Sequence, residues 1–112
     1  MMQVNVRMLA PLKNRDAIVR AFRSRAIRVR AERGCRSCHL YRDAEDESAL
    51  ALVQVWSERA DLDRHALSES FREILELVEL STAPPEISFQ TVSSTAGLEY
   101  LAALHAGGTP HA

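Results

Sequence analysis

The most constraining feature of this sequence is a change in hydrophobic period that occurs in a fixed order along the chain. Val4, Val6 and Met8 alternate with Gln3, Asn5 and Arg7, the period of a half-buried strand. Pro11 closes that strand, and from Asn14, a residue suited to N-capping, Ile18, Phe22, Ala26 and Val29 recur at helical spacing as far as the stop signal Gly34. Cys35 to Arg42 and Ala49 to Trp56 read as two strands joined by the polar turn Asp43 to Ser48. Ser57 is placed to cap a short helix carrying Leu62, His65 and Ala66, which Ser68 restarts or kinks into Phe71, Ile74, Leu75 and Val78. Pro84 and Pro85 end it, Ile87 and Phe89 mark a fourth strand, and Leu98, Leu101 and Ala102 a short terminal helix. The order β-α-β-β-α-β specifies an α+β fold, the ferredoxin-like arrangement, with both helices on one face of a four-stranded antiparallel sheet. The second sheet face then needs a cover, and a second copy of the chain is the simplest one.

Residues 1–106 suffice for a single domain, with 107–112 expected as a flexible Gly-rich tail. The apolar content of 46% fills a core without disulfides or a structural metal. No apolar run approaches the roughly 18 residues needed to span a bilayer, and the N-terminus lacks the order of a signal peptide, so a cytoplasmic protein with no membrane partner is the expectation.

The formal charge of −1 conceals a segregation: residues 1–42 carry +9 and residues 43–112 carry −10. Taken alone, the basic half suggests nucleic acid. Aromatic residues do not interleave with its arginines, however, and the fold sets the first helix beside the acidic second one. Its arginines are therefore expected to face Glu69, Glu73 and Glu76, and no nucleic-acid partner is expected.

Cys35-Arg-Ser-Cys38-His39 satisfies the C-x-x-C-H pattern of covalent haem attachment. In a regular strand, positions 35 and 38 have opposite parity and point to opposite faces, unable to grip one porphyrin or metal. Histidines at 39, 65, 105 and 111 form no zinc-ligand spacing, and glycines at 34, 97, 107 and 108 build no phosphate loop. Tyr41, His39 and Tyr100 are polar candidates whose strand or tail positions suit structural roles better.

One constellation carries more weight. Trp56 ends the third strand, His65 follows on the start of the next helix, and Phe71 comes after it. A strand end and the first turns of the following helix meet at one end of the sheet, so indole and imidazole are expected to share a pocket between helix and sheet. A packed tryptophan beside a histidine bonded to backbone would leave the same trace.

With Arg33-Gly34-Cys35, Leu40-Tyr41-Arg42-Asp43, Val53-Gln54-Val55-Trp56-Ser57 leading to His65, Ser70-Phe71 and Pro84-Pro85-Glu86-Ile87, the chain resembles the antibiotic biosynthesis monooxygenase superfamily, in its quinol monooxygenase-like form, over about residues 3 to 93. The resemblance implies a homodimeric α+β barrel whose two sheets face each other. It also implies insertion of O2 into a small electron-rich phenol, anthrone or quinol without metal, flavin or haem. His65 would position or deprotonate the substrate, Trp56 would form a wall and offer its N–H, and Phe71 would line the pocket. Cys38 stands where many relatives carry an aromatic, which reshapes that side of the substrate site. Asn5, in the first strand, is the position that would answer to the asparagine of the haem-degrading branch, a weaker alternative. Other members of the superfamily are isomerases or have no demonstrated activity, so a non-catalytic dimeric ligand-binding or scaffold module is the second reading.

Overall fold

The computed structural model describes residues 1–107. Strand β1 (Met2–Leu9) leads through a short 3-10 turn into helix α1 (Arg15–Arg30). Strands β2 (Cys35–Arg42) and β3 (Ala49–Trp56) form a hairpin, followed by helices α2 (Arg59–Ala66) and α3 (Glu69–Val78), strand β4 (Glu86–Thr91) and helix α4 (Leu98–His105). The sheet is antiparallel throughout its pairings, in the order β2-β3-β1-β4, which is the ferredoxin-like α+β arrangement.

The alternation read from the sequence sets the two sheet faces. Val4, Val6 and Met8 stand beside Leu50, Leu52 and Gln54 on the helix-covered side, all of them buried. Ile18, Phe22, Ala26 and Val29 of α1 close over them, with Phe71, Ile74 and Val78 of α3 alongside. Burying that many large side chains, at about 1.5–3 kcal/mol each, is the main term holding helices to sheet. The opposite face carries Asn5, Arg7, His39, Tyr41, Ala51, Val53 and Val55, none of them buried.

Several local expectations are corrected. α1 ends at Arg30, and Gly34 serves instead the turn into β2, where its φ of +87° and the packing of Asp61 exclude a side chain. The residue capping α2 is Glu58 rather than Ser57, and no side chain completes the cap. Ser68 does cap α3, its hydroxyl accepting from the Phe71 N–H at 3.3 Å. α3 stops at Val78, and Pro84 and Pro85 lie in the connection to β4.

A more consequential correction concerns the cysteines. The register of β2 against β3 slips between Cys35 and Ser37, so Cys35 pairs with Trp56 and Cys38 with Gln54. This bulge restores a common face: both thiols point to the helix-covered side, against the opposite-parity expectation, which assumed a regular strand. Cys38 is fully buried and Cys35 half-buried. Beyond β4 the core ends; α4 forms as the sequence suggests but buries no residue. The expected tail lies, from residue 108 on, outside the described residues.

Candidate active site

Four elements converge at one end of the helix-covered face. β3 supplies Gln54 and Trp56, two residues apart and therefore on the same side of the sheet. α2 supplies His65, which sits in its last turn rather than at its start, α3 supplies Phe71, and the turn after α1 supplies Glu32. Trp56 and His65 are stacked with ring centroids 4.6 Å apart, and Phe71 meets the His65 ring edge-on at 5.3 Å. Trp56, Gln54 and His65 are all at most 1% exposed.

Their polar atoms form one chain of hydrogen bonds. The indole N–H of Trp56 donates to Gln54 Oε1 at 3.0 Å. An indole nitrogen can only donate, so this bond fixes the amide with its nitrogen toward His65, whose Nε2 lies 3.4 Å from Gln54 Nε2. The amide nitrogen also only donates, so Nε2 of the imidazole is the acceptor and carries no proton. Nδ1 holds the proton and donates to Glu32 Oε1 at 3.0 Å. The second Glu32 oxygen accepts from Ser70 Oγ at 3.4 Å. The result is a carboxylate-oriented neutral imidazole with a basic nitrogen held in an apolar setting.

Gly34 contributes to this geometry indirectly. Its carbonyl accepts from Ser57 N–H at 2.8 Å, tying the start of β2 to the end of β3. A β-carbon at this position would collide with the Asp61 side chain, and Asp61 pairs with Arg64 at 3.0 Å in the helix that bears His65.

The other sequence candidates divide. Cys38 borders the cluster through its pairing with Gln54, and burial pushes its thiol up to about 12, with neighbouring Cys35 adding to the rise. Cys35 is raised as well, by burial and then by the Glu32 carboxylate. Thiols held protonated in this way are poor nucleophiles. Asn5 lies on the opposite sheet face, accepting from Gln3 at 3.1 Å and donating to Gln90 at 3.3 Å, and is not brought to His65. Among the described residues no group of three or more His, Cys, Asp or Glu side chains is arranged to hold a metal ion.

The expected pocket between Trp56 and His65 is filled by the rings themselves. Three cavities, of about 240, 180 and 440 Å³, are lined by other residues than Trp56, His65 or Phe71. On one flank the cluster approaches solvent through aromatic rings: Phe71 is tilted against Phe89 at 6.4 Å, and Phe89 of β4 is 51% exposed.

The sequence profile of the antibiotic biosynthesis monooxygenase family matches residues 1–77, which include β1 through most of α3 and thus Glu32, Gln54, Trp56, His65 and Phe71. The chain belongs to this family. Solved structures share the fold. One described as an antibiotic biosynthesis monooxygenase superimposes with a TM-score of 0.73 at 20% identity, covering 84% of this chain and 100% of its own. A Mycobacterium tuberculosis protein is 27% identical with a TM-score of 0.74, covering 86% of this chain and 98% of its own. A Pseudomonas aeruginosa protein is 22% identical with a TM-score of 0.69, over 83% and 94% of the two chains. No curated protein is significantly similar in sequence.

Two members of this cluster, Gln54 and Glu32, were not singled out by the sequence spacing, although both left a signal. Gln54 interrupts the apolar row Leu50, Leu52, Trp56, and a lone polar residue on a buried strand face must find partners. Glu32 is one of only two acidic residues, with Asp16, in the basic first 42 positions.

Proposed function

We propose that the protein is a monooxygenase that oxidises a small electron-rich aromatic, of the quinol, anthrone or phenol type, with O2 and without metal, flavin or haem. The observation that carries this reading is the Glu32-oriented His65, whose unprotonated Nε2 is a base held within an apolar site beside a planar indole wall.

The chemistry asks little else of the protein. An anthrone-type substrate loses a proton from its CH2 group to His65 Nε2, and the resulting anion is electron-rich enough to reduce O2 itself. The carbon gains one oxygen atom and loses both hydrogens, ending as a carbonyl; the second oxygen atom leaves as water. All four electrons reaching O2 come from the substrate, so the balance closes without a redox cofactor. Glu32 stabilises the imidazolium formed in the first step, and the Trp56 and Gln54 N–H groups are donors for the oxyanion that develops. For a substrate to reach Nε2, Phe71 must swing aside and the Gln54 amide must yield its place. Exposed Phe89 marks the flank on which that opening occurs. The open sheet face, with Ala51, Val53, Val55 and Tyr41, is the surface we assign to a second copy in a homodimer.

Oxygen-electrode assays of purified protein against a panel of quinols and anthrones test this reading. Substrate-dependent O2 uptake that is lost in His65→Ala supports it; uptake at full rate in His65→Ala removes the base.

The packed Trp56–His65 stack favours a second reading, a ligand-binding module without catalysis. Trp56 is the only tryptophan in the chain, so its fluorescence reports the site directly. Saturable quenching by an aromatic ligand with no O2 uptake across the panel would decide for binding alone.

A further inference from the structure

Five of the six arginines of α1 fall into two groups. Arg25 and Arg28 meet Glu73 of α3 at 3.5 and 2.7 Å, and Arg15 meets Asp16 and Glu47 at 3.6 and 3.9 Å. Arg23 and Arg30 lie on the other flank of the helix, above the outer strand β2. With Arg42 and His39 they border a cavity of about 240 Å³ whose apolar lining is Val19, Ala26 and Leu40. No aspartate or glutamate lines it, and among the described residues none of these three arginines forms an ion pair. Arg30 is pinned from behind, its Nε donating to the Cys38 carbonyl oxygen at 2.7 Å, which leaves its terminal amino groups for another acceptor.

We propose that this cavity binds a small phosphorylated molecule, an organic phosphate ester or diphosphate. Three guanidinium groups converging without a counter-charge repel one another, and a multiply charged oxyanion relieves that repulsion while matching their forked donor geometry. The floor is apolar, Val19 and Ala26 being buried and Leu40 half-buried, so the site suits an anion carrying an organic group better than a bare ion. Its volume is below the usual range for drug-sized ligands, which limits that group to a few carbons or a single ring. Cations that converge on one cavity, with no phenylalanine, tyrosine or tryptophan beside it, suit a small molecule better than a nucleic-acid backbone. The site shares no residue with the Trp56–His65 cluster and stands independently of the activity assigned there.

Calorimetric titration of the full chain with phenyl phosphate and with pyrophosphate, at constant ionic strength, tests the proposal. We expect saturable binding at one site per chain, weakened at least tenfold in the Arg30→Gln/Arg42→Gln double variant. Arg25→Gln, on the opposite flank of the same helix, should bind within twofold of the parent. The Arg42 side chain makes no hydrogen bond or ion pair among the described residues, so Arg42→Gln alone tests the site in an intact fold and should weaken binding at least threefold. Absence of saturable binding at millimolar probe, unchanged affinity in Arg42→Gln, or an oligonucleotide that binds more tightly than both probes with the same arginine dependence would each overturn it.

Discussion

Two polar clusters flank the C-terminal half of α1, and they are built in opposite ways. At its end, Glu32, His65, Gln54, Trp56 and Ser70 are joined donor to acceptor into a chain that leaves no polar atom of the three buried members without a partner. Along its β2 flank, Arg23, Arg30 and Arg42 surround an open cavity with no counter-charge. The difference reflects the solvent. A polar group removed from water must be paired or it costs more than the fold can spare, so the buried cluster is complete within the chain. Guanidinium groups that keep their water can remain unpaired and available to a ligand. Completeness marks the group whose tautomer the protein sets, and incompleteness marks the one that waits for a partner.

The largest expected effect tests the buried cluster. His65→Ala should lower the rate of O2 uptake with an accepted substrate by about 10²–10⁴-fold, the usual worth of a positioned general base, as read by initial rates. Next comes the turn that ties the cluster together. Gly34→Ala must adopt a left-handed conformation, at about 1–2 kcal/mol, and also displace Asp61, so the urea midpoint should fall by more than the conformational cost alone. Glu32→Gln keeps an acceptor for Nδ1–H but removes the charge. Hydrogen bonds to charged groups contribute about 1.5–3 kcal/mol against about 1 for neutral ones, so a stability loss of about 1 kcal/mol should accompany a rate loss smaller than that of His65→Ala. A loss of stability without loss of rate would make Glu32 a packing partner only.

A pH test addresses the border of the cluster at Cys38. Its thiol ionises near 9.0 when unfolded and at about 12 in the fold, because burial disfavours the thiolate. The folded state therefore holds this proton where the unfolded state has lost it. The stabilising contribution is fully present below pH 9 and declines as pH rises toward 12. Denaturant midpoints should show that decline, and Cys38→Ala should flatten it. The smallest effect belongs to the paired flank of α1: Glu73→Gln releases Arg25 and Arg28 from partly exposed pairs and should cost no more than about 1 kcal/mol, in a salt-dependent way.

The charge segregation shows where sequence reading was sound and where it stopped. The expectation that the arginine helix meets the acidic one holds for Arg25 and Arg28 against Glu73. Glu69 and Glu76 instead pair with Arg72 of their own helix, at neighbouring helical positions. Of the α1 arginines that α3 did not reach, Arg23 and Arg30 line the cavity over β2. Likewise Trp56, His65 and Phe71 were legible as a group from their spacing, whereas Asn5, chosen for its place in the first strand, points to the other side of the sheet. Odd and even positions decide sheet faces, and Asn5 is odd in a strand whose buried residues are even.

Periodicity, turn signals and element order sufficed to specify the β-α-β-β-α-β fold, because period-two and helical repeats report directly on which side of each element meets water. Only the tertiary structure placed Cys35 and Cys38 on one face, through a bulge that alternation does not reveal. Only it joined Glu32 to His65 across 33 positions and left three arginines facing a cavity without a counter-charge. These depend on the register and approach of separate elements, which hydrophobic period constrains to a face but not to a particular neighbour.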